Sequence, residues 1–173
     1  GYIPSPLNLS NLTGSEPIVC TEDTFPEKFD LRDTGFVTPV KDQGLCDSGW
    51  AFAALGAVES ELLAASGGVE KWDFSENNLK NTHGFDAAPC DGGNVDMATA
   101  YLARYSGPVN EIDDPYSPSP LPPSPEDLPV QKHLQEMYRI PSKSSPLDNT
   151  YLKYALQHYG AVYTPYYHDD SHM

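Results

Sequence analysis

Apolar positions recur at helical spacing across residues 48–66. Phe52, Leu55, Val58 and Leu62 form one stripe, while Glu59 and Glu61 fall off it. Ser48 suits the N-cap and Gly67-Gly68 the stop. Alanines fill the remaining faces, which predicts a central helix buried on several sides. A shorter helix follows Ser75, with Glu76, Asn77 and Asn78 in its first turn. A third runs from Asn94 to Ser106, with Met97, Tyr101, Leu102 and Tyr105 facing inward and Gly107 ending it. Tyr138-Arg139-Ile140 reads as a short strand. Asp148 or Asn149 caps a helix through Tyr151, Leu152, Ala155 and Leu156 that Gly160 ends, and Ala161 to Tyr167 alternates as a second strand. Helices come first and strands gather late, an α+β layout without internal repeats.

Punctuation residues divide the chain further. Residues 1–25, rich in Pro, Ser and Asn, read as an extended arm or a disordered terminus. A helical lobe occupies 26–115, a proline-rich excursion 116–129, and the start of a β-rich lobe 130–173. Seven of the fifteen residues from Pro115 to Pro129 are proline, so this run is extended and enters neither a helix nor a central strand. Its plain role is a stiff surface excursion; docking to an aromatic groove is the alternative.

Charge narrows the partners. A formal net charge of -15 argues against nucleic acid and anionic membranes, both of which need a basic face. No stretch has the length of a membrane span and no leader pattern opens the chain. Asp113-Asp114 and Asp169-Asp170 lack the loop-and-glycine spacing of a calcium site and read as solvated turns. Nothing matches a zinc site, a phosphate loop or a dinucleotide fingerprint, so neither metal nor cofactor is expected. Three cysteines (Cys20, Cys46, Cys90) allow at most one internal disulfide and leave one thiol over. The sequons at Asn8 and Asn11 matter only in a host that glycosylates exported proteins.

The chemistry gathers in Gln43-Gly44-Leu45-Cys46-Asp47-Ser48-Gly49-Trp50-Ala51-Phe52, a turn-rich loop leading straight into the buried helix. The first amides of such a helix lack internal partners and its dipole favours negative charge, which is how a thiolate is kept at neutral pH. A side-chain amide such as that of Gln43 can join a backbone amide in holding an oxyanion. The run resembles the active-site signature of papain-family cysteine peptidases, Gln-Gly-x-Cys-x-Ser-Cys-Trp-Ala-Phe. Pro26 to Arg32, Phe74 to Leu79 and Cys90-Asp91-Gly92-Gly93-Asn94 resemble further segments of that family, in the same order.

The resemblance implies a two-lobe fold, here a helical lobe with its central buried helix plus an incomplete β-rich lobe, and peptide-bond hydrolysis by a thiolate. It places Gln43 at the oxyanion hole, Cys46 and Cys90 as a disulfide pair, and Trp50 beside the nucleophile. Gly92 and Gly93 would line a cleft that takes an extended peptide or protein substrate. Two departures qualify it. The nucleophile position is Gly49, and hydrogen forms no acyl-enzyme. The family's base is a His followed by a small residue and an apolar strand, a context that His83, His133, His158, His168 and His172 all lack. The expectation is a peptidase disarmed by a removed cysteine and incomplete, inactive as it stands. The alternatives are a natural pseudopeptidase acting as a peptide-binding or adhesion module, and a regulatory fragment. The resemblance also suggests a self-inhibitory role for residues 1–25, a partner for Cys20 outside this chain, and an exported or cell-surface location.

Overall fold

A computed structural model describes residues 3–4, 24–141, 143 and 145–166. Its elements are α1 (Leu31–Thr34), α2 (Gly49–Ala65), α3 (Glu76–Thr82), α4 (Val95–Ala103) and α5 (Thr150–His158). The caps are the expected ones. Ser75 accepts from the Asn78 amide at the start of α3, Asn94 accepts from the Met97 amide at the start of α4, and Asn149 precedes α5. The Ser75 and Asn94 side chains satisfy amides that the helix itself leaves unpaired, whereas Asn149 stands at the N-cap without a side-chain capping bond.

Helices α2, α3 and α4 pack together around one core. Trp50, Ala51, Ala54 and Leu55 of α2 meet Phe74, Leu79, Met97, Ala98, Tyr101 and Leu102, all buried. The expected burial of α2 on several sides is observed; of the two acids off the stripe Glu61 is exposed and Glu59 is not. Glu59 is 1% exposed, whereas the stripe residues Phe52, Val58 and Leu62 are only half-buried. A carboxylate tolerates this because a cation meets it: Lys41 Nζ lies 3.1 Å from Glu59, 2.8 Å from Glu76 and 2.7 Å from Asp73. The Phe74 amide adds a 2.7 Å bond to Glu59 Oε1. These carboxylates hold the Lys41 ammonium pKa well above its usual range, despite the desolvation that opposes it.

Two further expectations change. Tyr105 is 53% exposed rather than inward, because α4 ends at Ala103, four residues before Gly107, and the chain turns left-handed at Tyr105 (φ 62°). Asp114 is buried rather than solvated: its carboxylate accepts from Asn77 (2.7 Å) and Asn78 (3.2 Å), fastening the end of the helical lobe to α3. Asp113, beside it, is exposed, and Asp169-Asp170 lie outside the described residues.

The proline-rich excursion is irregular chain, as expected, but it is tied down. Lys80 Nζ donates to Ser119 O (3.0 Å) and Asn81 Nδ2 to Ser124 Oγ (3.1 Å). The strands expected at 138–140 and 161–167 are not formed in the described part: 138–140 and 161–166 are chain without ladder pairing, and Tyr167 lies outside it. Alternation prepares a face, but a strand also needs a neighbouring edge to bond to. Phe74 and Asn110 form an isolated antiparallel bridge, and Gly93 also stands in a β-bridge.

The ion cluster generates a pH prediction. Burial pushes the Glu76 carboxyl up to about 7. An acid whose folded pKa is raised contributes stability below its unfolded pKa and loses it as pH rises through the folded value. Stability should therefore fall between about pH 5 and 8 by on the order of 2 kcal/mol. Urea unfolding across that range should show the decline in the parent chain and a flatter profile in Glu76→Gln.

Candidate active site

Gly49 is the first residue of α2, exposed, at the helix end where the dipole favours an anion. Ser48 is the N-cap by position, but its side chain makes no capping bond. Its hydroxyl instead meets Tyr116 Oη at 2.7 Å, and Tyr116 Oη donates to the Gln43 carbonyl at 2.7 Å. This clamp joins both ends of the loop that precedes α2. Tyr116 comes from the proline-rich segment, and no local pattern pointed to it; an aromatic standing in a proline-dense run was the available hint.

Gln43 reaches the vacant side of Gly49. A Cβ built on Gly49 would lie 2.8 Å from Gln43 Oε1, a buried atom that accepts no hydrogen bond from protein. The obstacle is the end of a flexible side chain, so a side chain at 49 displaces it at little cost. Trp50 follows, 4% exposed, with its ring edge-on to His83 at 5.8 Å.

The opposite wall is the Gly92-Gly93 segment. Gly92 has φ +97°, a backbone that L side chains rarely adopt. A Cβ at Gly93 would sit 2.3 Å from the Trp50 ring, so only glycine lets these two walls meet. The Cys46–Cys90 disulfide forms as the resemblance implied and locks the loop before α2 to this segment. Closing a loop with a sequence separation of 44 contributes on the order of 3–4 kcal/mol. Thr82 bonds the Asn78 carbonyl (2.7 Å). Cys20 lies outside the described residues.

A piece of the chain's own N-terminal arm lies on this wall. The Ile3 amide donates to Gly93 O at 2.8 Å, and Asn94 Nδ2 donates to Ile3 O at 3.0 Å. Backbone thus pairs with backbone at the glycine expected to hold extended peptide.

Gln43, Gly49, Trp50 and Gly93 are gathered in one place; the histidines are not among them. His83 is buried, its Nδ1 accepting from the Phe85 amide (3.0 Å), and burial lowers its pKa. His133 is exposed against Tyr105 and His158 packs on Tyr154 near the end of α5. His168 and His172 lie outside the described residues.

Residues 25–168 match the family described as papain family cysteine protease. The chain belongs to that family. It is 42% identical over 91 residues to a viral cathepsin of Spodoptera litura multicapsid nucleopolyhedrovirus, covering 53% of this chain and 26% of the relative. Mouse (Mus musculus) procathepsin L is 38% identical over 92 residues, with 53% and 27% covered. Among solved structures, the digestive procathepsin L 3 of Tenebrio molitor larval midgut superposes with TM-score 0.66 at 30% identity, covering 83% of this chain and 45% of that one. The matched part thus spans about a quarter of these curated relatives. The fold is papain-like α+β, and the elements formed among the described residues are helices. Among the described residues no helix is long and apolar enough to cross a membrane.

The contact between Gly93 and Trp50 is directly testable. Gly93→Ala should destabilise the chain by about 2–3 kcal/mol through overpacking and should perturb tryptophan fluorescence. Gly56→Ala is the control: its Cβ meets nothing within 4 Å inside α2, and urea unfolding should show it neutral or slightly stabilising.

Proposed function

We propose that this chain is a disarmed papain-type cysteine peptidase. Its cleft is built for peptide-bond hydrolysis by a thiolate, and the missing sulfur at Gly49 leaves it inactive as it stands. The observation that carries this reading is the placement of Gly49, exposed at the start of α2 with the Gln43 amide against its open side. Gln43 takes the oxyanion role through its side-chain NH2, which must turn to the place that Oε1 holds beside Gly49, because Oε1 only accepts. Trp50, Gly92 and Gly93 shape the cleft that receives extended peptide. The disulfide fits an exported protein, and Cys20 pairs outside the chain. The reaction class calls for no cofactor.

One observation favours a second reading, a natural pseudopeptidase that binds peptide without cutting it. The Ile3 main chain already bonds Gly93 O and the Asn94 side-chain amide, contacts that need no nucleophile. The same contact gives the arm a self-inhibitory role in either reading.

Gly49→Cys in the full-length protein separates the two. A thiol at this helix end should be alkylated by iodoacetamide with a pH midpoint below the free-cysteine value of about 8.5. Stoichiometric labelling by a thiol-directed peptide inhibitor, with turnover of a fluorogenic peptide, would support the peptidase. An intact fold that binds peptide but neither labels nor turns over would leave the pseudopeptidase.

A further inference from the structure

Tyr116 carries one proton on its hydroxyl, and the geometry assigns it. The Gln43 carbonyl can only accept, so Tyr116 Oη donates to it at 2.7 Å. The 2.7 Å contact with Ser48 Oγ then takes its proton from the serine, which favours it over the more distant Cys46 carbonyl at 3.3 Å. The result is a directed relay, Ser48 to Tyr116 to Gln43, in which each hydroxyl polarises the next. It starts one residue before Gly49 and ends on the residue whose side chain reaches Gly49.

The far end of the relay fixes a peptide plane. The Gln43 carbonyl and the Gly44 amide belong to one planar unit. The carbonyl accepts from Tyr116 and, at 3.5 Å, from the Cys46 amide, while the Gly44 amide donates to Asp42 Oδ1 at 2.8 Å. Gly44 itself is left-handed (φ +59°), and a Cβ there would meet Pro118 at 2.9 Å. With the plane held at both ends, the Gln43 main chain stays put. Its side-chain torsions are left to present the NH2 beside Gly49.

Tyr116 is itself held from α3. The Ser117 amide donates to Asn77 Oδ1 (3.3 Å), and Asp114 is bonded by Asn77 and Asn78. The ring stands edge-on to Phe52 at 4.8 Å, with Lys80 Nζ 5.7 Å from its centre. None of these contacts uses the hydroxyl, so its loss leaves the ring and its backbone in place. Burial raises the phenol pKa, and the donor keeps its proton at neutral pH.

We propose that Tyr116 is a positioning residue for the oxyanion glutamine: its hydroxyl holds the Gln43 main chain so that the side-chain amide stays within reach of a carbonyl attacked at position 49. The inference rests on the peptidase reading of the cleft. It makes the proline-rich segment part of the site through a single O–H.

Tyr116→Phe removes the hydroxyl and keeps the ring, and Gly49→Cys in the full-length protein supplies the sulfur. A peptide aldehyde then reports on the oxyanion. The thiol sulfur bonds to the aldehyde carbon, the carbonyl π pair moves onto oxygen, and that oxygen takes up the thiol proton. In the Gly49→Cys protein, Tyr116→Phe should weaken the aldehyde at least tenfold and leave the affinity of the matching peptide alcohol unchanged. It should cost nothing further once Gln43→Ala is present. A purely structural role would weaken alcohol and aldehyde alike and persist in the Gln43→Ala background. Either of those results overturns the proposal, as does an undiminished aldehyde affinity. No adduct in Gly49→Cys itself sinks the peptidase reading instead, and the chain with Gly49 then decides. There the side-chain amide NMR signals of Gln43, identified by their loss in Gln43→Ala, should shift or broaden in Tyr116→Phe. Signals that stay in place would overturn the positioning role.

Discussion

Lys41 comes from the loop ahead of α2, yet its ammonium lies between the carboxylates of α2 and α3. It also reaches the Phe74 carbonyl at 3.3 Å. Glu59 and Glu76 are nearly sealed from water, and either would be an uncompensated buried charge without this partner. The arrangement constrains more than energy. Hydrophobic contacts among Leu55, Phe74 and Leu79 would tolerate small slides of one helix on another, whereas an ammonium bonded to several oxygens tolerates few. The register of the loop against α2 and α3 is thereby set, and with it the position of Gln43, two residues further along.

The cleft inherits that register through three links of different kinds. The Cys46–Cys90 bond ties the loop to the glycine wall covalently. Tyr116 bridges Gln43 and Ser48 from the proline-rich side. Trp50 fills the space that Gly93 leaves open. Each link joins segments distant in sequence, so the site is a product of packing rather than of the motif alone. What the motif supplies is the helix end: amides without partners and a dipole that would stabilise a thiolate at position 49. The supporting structure is thus in place around a residue that has no nucleophile to offer.

Local rules made much of the helical lobe legible from sequence. Ser75 and Asn94 announce helix starts because capping is settled within three or four residues, and the α2 pattern needs only its own periodicity. The order of the motifs from Pro26 to Asn94 carried the family, and with it the disulfide pair and the cluster of Gln43, Gly49, Trp50 and Gly93. Tertiary structure decided what depends on a distant partner. Glu59 falls off the apolar stripe yet is buried, because Lys41 from another segment neutralises it. Asp114 looks solvated until Asn77 and Asn78 fold against it. Tyr105 faces outward because the chain turns left-handed before Gly107 is reached. The alternation at 138–140 and 161–166 prepares faces for a sheet, and no neighbouring edge pairs with them in the described chain. Periodicity reports which way a side chain points within its own element; what stands opposite is a property of the whole fold.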